Sequence, residues 1–563
     1  MASFLARIGL AMAAIPIVNN ANPFDDPAGS GSESSPSTGA AELDSHNVLS
    51  VDRNASLTLG TDALIVLDEG LRHRRAAANC CGLVPQLGKT TRAIPFYNVL
   101  WAELNEFDVT IHYALSTGKK SCAVAYVNYN IGDKSLQTHA KRWVDRLLQR
   151  SYPPNTKRRK RIKVLINPFG GQGYAQKLWT REVEPLFAAA HCEVEVEKTA
   201  YRGHAVDIAE KMDVDVYDVV ACASGDGLPY EVFNGLAKRE NAVRALRKVA
   251  VAQIPCGSGN AMSLNLNGTD SPSLAALAIV KGIRIPLDLV AITQGSNKYY
   301  SFLTQAVGII AESDLGTESL RWMGSFRFTW GILVRLLGQT LYPAEVSVVV
   351  ESDDKHRIKE AYRHAVQESE AALAKELTQD DREEDHLLSG KDDDLPRLRY
   401  GTVQDDLHSD FQTRDMPTLG NFYVGNMCWV SPDAAFFATS LPSDGTVDMV
   451  NIDGLLPRSK SLQMLASAGD GGVIDVPEVS YRKVRAYRIT PRVHQPPSQK
   501  RLRATFRQWL AGAGKQKEGL IAIDGERVPF EPFQAEVVPG LATVLSRRGA
   551  VYEFDGLKDL DRP

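Results

Sequence analysis

The sequence predicts an α/β domain set among β-rich segments, and three observations carry that prediction. Between about 160 and 288, buried-strand runs alternate with helical patterns: "RIKVLINP", "CEVEVEKTA", "YDVVACA" and "KVAVAQIP" each lead into a glycine turn or a helix. On either side of that region strand signals follow one another with little helix between them. At 563 residues the chain exceeds what a single core supports, so two or three domains are expected.

Taken in order, the N-terminal "FLARIGLAMAAIPIV" is short and broken by Arg7. It reads either as a weak signal peptide or as a stretch that is disordered or rests on a membrane surface. Residues 20–46 are rich in Ser, Gly, Pro and Asp, so 1–46 is expected to be a disordered segment. Over 47–152 the runs "ASLTLGTDALIVLD", "RAIPFYNVLWAEL", "FDVTIHYAL" and "CAVAYVNYN" precede the helical "LQTHAKRWVDRLLQR". Several strands closed by one helix suggest a small β domain of pleckstrin-homology type. The basic linker Thr156–Lys163 is either a solvated hinge or an attraction for anionic lipid, worth roughly 1 kcal/mol per basic residue near the surface.

After the α/β region of 160–288, strand runs such as "KYYSFLTQAVGII", "AEVSVVVE" and "FQAEVVPGLATVLS" predict a β-sandwich domain over 289–556. A charge-dense insertion at about 353–416 interrupts it and is expected to be disordered or a loose exposed helix.

Composition narrows the function classes. With 44% hydrophobic and 23% charged residues and a net charge of -4, the chain is not a globally basic nucleic-acid binder. Seven cysteines without a CxxC pair suggest neither a disulfide framework nor a zinc site, and fit a reducing, cytosolic setting. No run of about 18 apolar residues is present, so no membrane-spanning helix is expected. The adjacent Cys80 and Cys81 suit either palmitoylation, which would anchor the protein at a membrane, or buried structural thiols.

Three glycine-rich turns carry the chemistry: "NPFGGQG" (Asn167–Gly173), "SGDG" (Ser224–Gly227) and "PCGSGNA" (Pro255–Ala261). Each follows a strand and opens a helix, where backbone amides and the helix terminus favour an anion. The first lacks the terminal G-K-[ST] of a Walker loop, and Gln176 breaks the Rossmann spacing. Asp226 stands between two glycines in "ASGDGLPYEVFNGL" and is either a plain helix cap or a base held against a phosphate donor.

These three loops, with a late "IDGE", closely resemble the diacylglycerol-kinase catalytic fold, which is shared by sphingosine and ceramide kinases and is similar to that of NAD kinases. "GIIAESDLGTESLRWMGSFRFTWG" (Gly308–Gly331) looks most like the sphingosine kinases, and its "RWMG…RF" wording resembles the fungal long-chain-base kinases. The resemblance covers roughly 160–345 and 418–555. It implies an α/β nucleotide-binding domain followed by a lipid-binding β-sandwich, using ATP and Mg²⁺.

Carried over residue by residue, the resemblance sets Asn167 and the amides of Gly170, Gly171 and Gly173 against the nucleotide phosphates. Thr199 and Ser224 would hydrogen-bond the nucleotide, Gly227 would leave room for it, and Glu231 would face the adenosine side. Gly257 and Ser258 would supply the third loop, and Arg321 and Arg327 would clamp phosphate. Asp524, Gly525 and Glu526 would form an acidic turn returning to the nucleotide and its Mg²⁺. Asp226 would be the general base, Asp314 would face the cationic amine of the lipid, and Thr304 would touch its headgroup. Phe169 and Gln172 depart from the basic residue and the lysine that many relatives carry, leaving phosphate to backbone dipoles and the two arginines. The implied activity is phosphorylation of a sphingoid base at its primary hydroxyl, by a cytoplasmic enzyme docking peripherally on endoplasmic reticulum, Golgi or plasma membrane. A ceramide or diacylglycerol kinase and a catalytically inactive lipid-binding scaffold are the alternatives.

Overall fold

The computed structural model describes residues 45–51, 55–68, 91–170, 173–316, 341–376, 394–492 and 519–557. Nearly all of the expected disordered segment, and Cys80 and Cys81, lie outside the described residues.

Alternating apolar positions build the first β region. Strands β1 (Val48–Val51), β2 (Ala55–Leu59), β3 (Ala63–Asp68) and β4 (Thr91–Pro95) form an antiparallel sheet of four. Strands β5 (Val99–Asn105), β6 (Asp108–Gly118) and β7 (Ser121–Asn130) form a second sheet of three. Leu57, Leu59, Leu64 and Val66 turn inward at every second position. Helix α1 (Gln137–Ser151) buries Ala140, Trp143, Val144, Leu147 and Leu148, a stripe at helical spacing.

Strands β8 (Arg161–Ile166), β9 (Glu193–Lys198), β10 (Val219–Ser224) and β11 (Ala250–Pro255) run parallel in the order β11-β10-β8-β9. Every residue of β10 and β11 is buried, as expected where helices cover both faces. Helices α2 (Ala175–Leu178) and α3 (Glu184–Ala189), joined by a π turn at Trp179–Val183, cover one face. Helices α4 (His204–Lys211), α5 (Gly227–Ala237) and α6 (Ala242–Lys248) cover the other. After β11 come α7 (Ala261–Asn267) and α8 (Pro272–Lys281), and α8 returns to the first face. The chain leaves β8 outward to β9 and then crosses back to β10. The strand order therefore reverses between β8 and β10, and their carboxyl ends flank a crevice.

The first β region docks on α3 and α8. Lys281 of α8 is buried there, donating to the carbonyls of Ser151 (2.7 Å) and Val99 beneath the ring of Tyr152. Burial holds its ammonium well below the usual lysine range.

The remaining strands are β12 (Ile283–Gln294), β13 (Asn297–Ser301), β14 (Thr304–Gly308), β15 (Ala344–Ser352), β16 (Gln412–Met416), β17 (Leu419–Gly425), β18 (Val447–Asp453), β19 (Ser480–Pro491), β20 (Ile521–Ile523), β21 (Glu526–Val528) and β22 (Phe533–Ser546). Their inward side chains, among them Val290, Phe422, Tyr487 and Phe533, share one core. Helix α9 (Ile309–Gly316) follows β14.

The boundary near 288 falls inside β12, because this buried twelve-residue strand pairs with β22 along most of its length. The C-terminal half of β22 pairs in parallel with β11 and the N-terminal half with β19, so among the described residues the fifteen strands from β8 onward form one hydrogen-bonded sheet. At the bulge in β12, Asp288 accepts the amides of Gly445 (2.7 Å) and Gly540 (2.6 Å).

Of the two readings of the insertion at 353–416, its described first part takes the helical one. Helix α10 (Lys355–Glu376) buries Ile358, Tyr362 and Val366, four residues apart, and Lys359 reaches Asp475 at 2.6 Å. The later part of the insertion lies along the sheet: Glu536 accepts the amides of Arg399 (2.7 Å) and Tyr400 (2.9 Å), and β16 pairs with β15. Residues 377–393, which hold most of the acidic run, lie outside the described residues. Replacing Glu536 by Ala leaves both amides unpaired. The expected cost is about 1–3 kcal/mol by urea unfolding, with faster proteolysis near 394–411.

Candidate active site

The first glycine loop is shaped by Asn167, whose Oδ1 accepts the amide of Phe169 at 3.0 Å in an Asx turn. Gly170 lets this loop close on the second: a Cβ there would stand 3.1 Å from Ser224 Oγ. Gly171 and Gln172 lie outside the described residues, Gly173 has φ +75°, and Phe169 is exposed. Thr199, buried after β9, donates its amide to Ile166 O at 2.9 Å, and Ser224 is buried at the end of β10. The expected phosphate-loop residues that are described thus meet at the carboxyl ends of β8, β9 and β10.

The second and third loops are in backbone contact. A Cβ on Gly257 would lie 2.3 Å from Gly225 Cα, and one on Gly225 would lie 2.7 Å from Gly259 O. Asn260 braces the third loop by accepting the Gly257 amide and donating to the Gly257 carbonyl, each at 3.0 Å. Ser258 is half-buried in the same loop.

Asp226 stands where these loops meet. It opens α5, yet its side chain does not cap that helix. Instead Oδ2 accepts the amide of Ala261 (2.9 Å) and Oδ1 that of Met262 (3.0 Å), the first amides of α7. Gln253 Nε2 donates to Oδ1 at 3.1 Å, and the Asp226 amide donates to Gly259 O at 3.1 Å. Burial pushes the carboxyl upward in pKa, and these donors pull it back by favouring the anion.

Several expected residues take other roles. Glu231 is half-buried, and its two oxygens accept the amides of Gly203 (3.0 Å) and Ala205 (3.1 Å), bracing the turn into α4. Asp524 does not reach the crevice. Its buried carboxylate accepts Ser301 Oγ (2.6 Å) and the amides of Phe302 (2.9 Å), Leu303 (3.1 Å) and Thr304 (2.8 Å), and burial pushes it up to about 6. A motif fixes the residue type but not which donors lie nearest in space. Thr304 is held in this same clasp at the start of β14.

Gly525 continues the tight turn at φ +78°, and Glu526 is the member of the acidic turn that reaches the site. A Cβ on Gly227 would stand 3.6 Å from Glu526 Oε1, and Glu526 pairs with Arg202 from the turn before α4. Asp314 lies on α9, whose first turn is held by Asn421 Oδ1 accepting the Ile310 amide at 3.0 Å. Arg321 and Arg327 lie outside the described residues.

Sequence reasoning missed Gln253, Asn260 and Arg202. Gln253 had a signal, as the one polar side chain in the otherwise apolar strand "AVAQIP". No group of three or more His, Cys, Asp or Glu side chains suited to a metal occurs among the described residues. No described helix is long and apolar enough to cross a membrane.

Two family models match the chain: the diacylglycerol kinase catalytic domain over residues 161–292, and a domain of unknown function, DUF7493, over 47–153. Sphingoid long chain base kinase 4 of Schizosaccharomyces pombe is 34% identical over 80% of this chain and 88% of its own length. The chain belongs to the sphingoid long-chain base kinase family. Within that family, sphingoid long chain base kinase 5 of Saccharomyces cerevisiae is 35% identical over 76% of this chain, which spans 65% of that relative's length. Sphingosine kinase 1 of Arabidopsis thaliana is 29% identical over 69% of this chain and 76% of its own. A crystal structure described as a putative diacylglycerol kinase from Bacillus anthracis str. Sterne overlays with a TM-score of 0.45 at 17% identity, covering 69% of this chain and 96% of that one.

Two substitutions test the geometry. Gly257→Ala drives a methyl into Gly225. It should lower lipid phosphorylation at least tenfold and cost about 1–3 kcal/mol of stability, read by a kinase assay beside thermal unfolding. Asp524→Ala strips the acceptor from four donors and should cost about 3 kcal/mol or more in urea unfolding.

Proposed function

We propose that this protein transfers the γ-phosphoryl group of ATP to the primary hydroxyl of a sphingoid long-chain base, giving the 1-phosphate. The observation that carries the reading is the Asp226 carboxylate, fixed by backbone amides where the glycine loops converge. A neutral alcohol is a poor nucleophile. As its oxygen bonds to the γ-phosphorus, the bond from phosphorus to the ADP oxygen breaks and ADP leaves with that electron pair. The hydroxyl proton passes to Asp226.

The other residues bind and orient. Asn167 and the amides of Gly170, Gly171 and Gly173 receive phosphate, and Thr199, Ser224, Gly227, Gly257 and Ser258 line the nucleotide cleft. Arg321 and Arg327 neutralise charge on the transferred group. Glu526, beside Gly227, would be the carboxylate to hold Mg²⁺ taken up with ATP, exchanging its Arg202 partner for the ion, which would supply further neutralisation. Glu231 and Asp524 act one step back, holding the turns at Gly203–Ala205 and Phe302–Thr304.

Asp314 pairs with the cationic amine of the lipid, and Thr304 sits at the headgroup end. The acyl chain takes the apolar interior of the strand-rich region. The first β region, with seven antiparallel strands ahead of one helix, supports a pleckstrin-homology-like domain. Peripheral docking from the cytoplasm rests on this region, reinforced by acylation if Cys80 or Cys81 is modified, and not on the basic linker, where Lys160 and Lys163 are buried and Lys157 and Arg161 pair with Asp218.

Asp226→Asn should lower turnover by roughly 10²–10⁴-fold with nucleotide binding retained, measured by labelled ATP transfer and by nucleotide titration. Near-parental turnover would exclude Asp226 as the base. On a panel of sphinganine, ceramide and diacylglycerol, sphinganine should be the substrate, and Asp314→Ala should impair it through KM. Equal use of the uncharged lipids would point to the alternative ceramide or diacylglycerol specificity, and transfer to none of them to a binding scaffold.

A further inference from the structure

Gln253 is a buried amide, 1% exposed, midway along β11 between Ala252 and Ile254. A buried polar side chain in such a strand destabilises the fold unless its hydrogen bonds are made. Here the bonds fix its orientation. Ser263 N, which can only donate, lies 2.8 Å from Oε1, so the amide nitrogen must be the end that faces Asp226. The consequence is an asymmetric carboxylate. Oδ1 accepts two donors, Met262 N and Gln253 Nε2, whereas Oδ2 accepts Ala261 N. A carboxylate oxygen has room for about two such bonds, so capacity remains at Oδ2. Oδ2 also lies on the side of Gly259, where a Cβ would come within 3.3 Å of it.

We infer that Gln253 is a positioning residue that occupies Oδ1 of Asp226 and leaves Oδ2 as the oxygen that takes the substrate proton. The inference rests on the reading of Asp226 as the base. By donating to the anion, Gln253 also keeps the carboxyl ionised against the effect of burial. Among the described residues, the ionisable groups on the elements packed against Asp226 are Tyr230 and Glu231 on α5, Cys222 on β10 and Cys256 after β11, with the Arg202–Glu526 pair across Gly227.

The test uses the full chain carrying Gln253→Met, which keeps volume but cannot donate, and Gln253→Glu, which keeps the acceptor for Ser263 N. Turnover of sphinganine is followed against pH, with KM for ATP and thermal unfolding measured alongside. Loss of the donor raises the carboxyl pKa, so the acid limb of kcat in Gln253→Met should move up by about one pH unit, with KM for ATP within twofold. Gln253→Glu sets a second carboxyl beside the first, and its acid limb should move at least as far. If Gln253→Met does not fold, Gln253→Glu decides. A parental pH profile in the folded variants overturns the inference, whether turnover is unchanged or lowered equally at every pH. An Asp226→Asn enzyme that still turns over would instead sink the base itself. An inactive Asp226→Asn beside unshifted Gln253 variants would sink only the role of Gln253.

Discussion

The carboxylate of Asp226 accepts hydrogen bonds from the first amides of α7, and that bond set ties the second glycine loop to the third. Because Gly225 and Gly257 bring the two backbones into contact, the carboxyl group can span from one loop to the helix that follows the other. Amide donors of this kind favour the ionised form, so one contact both shapes the crevice and sets the protonation state of the group within it. A cap on its own helix would have fixed the start of α5 and nothing else.

The same device recurs through the molecule. Glu231 clasps the turn at Gly203 and Ala205, Asp524 the turn at 302–304, Asp288 the loops at Gly445 and Gly540, and Glu536 the chain at Arg399 and Tyr400. Asp288, Asp524 and Glu536 are buried and Glu231 is half-buried, and in each the carboxylate is met by backbone amides. These bonds set the positions of segments remote in sequence, which non-directional apolar burial does less sharply.

Much of this was legible in the chain. Strand, glycine turn and helix start followed in sequence three times, and each loop occurs where that order put it, because local steric rules decide where glycine is needed. The alternation in β2 and β3 and the helical stripe of α1 were equally readable. Partnerships across space were not. Asp524 and Glu526 stand two residues apart in one motif, yet the backbone turn at φ +48° and +78° sends one into the core and the other to the crevice. Of the two readings of the insertion, its described first part takes the helical one, and the spacing of Ile358, Tyr362 and Val366 gives that helix its buried side. That β12 runs across 288 to pair with β22 was not readable either, because strand signals report that a strand exists, not which strand it pairs with.

That pairing has a consequence for biosynthesis. The edge of β11 that β22 occupies belongs to the nucleotide cradle, but β22 leaves the ribosome only after the whole strand-rich region has been made. Until then the cradle presents bare amides and carbonyls along a buried-type strand, open to mispairing with other emerging chains. Such a non-local closure is intrinsically slow, so the half of the protein translated first should be the half most dependent on chaperones.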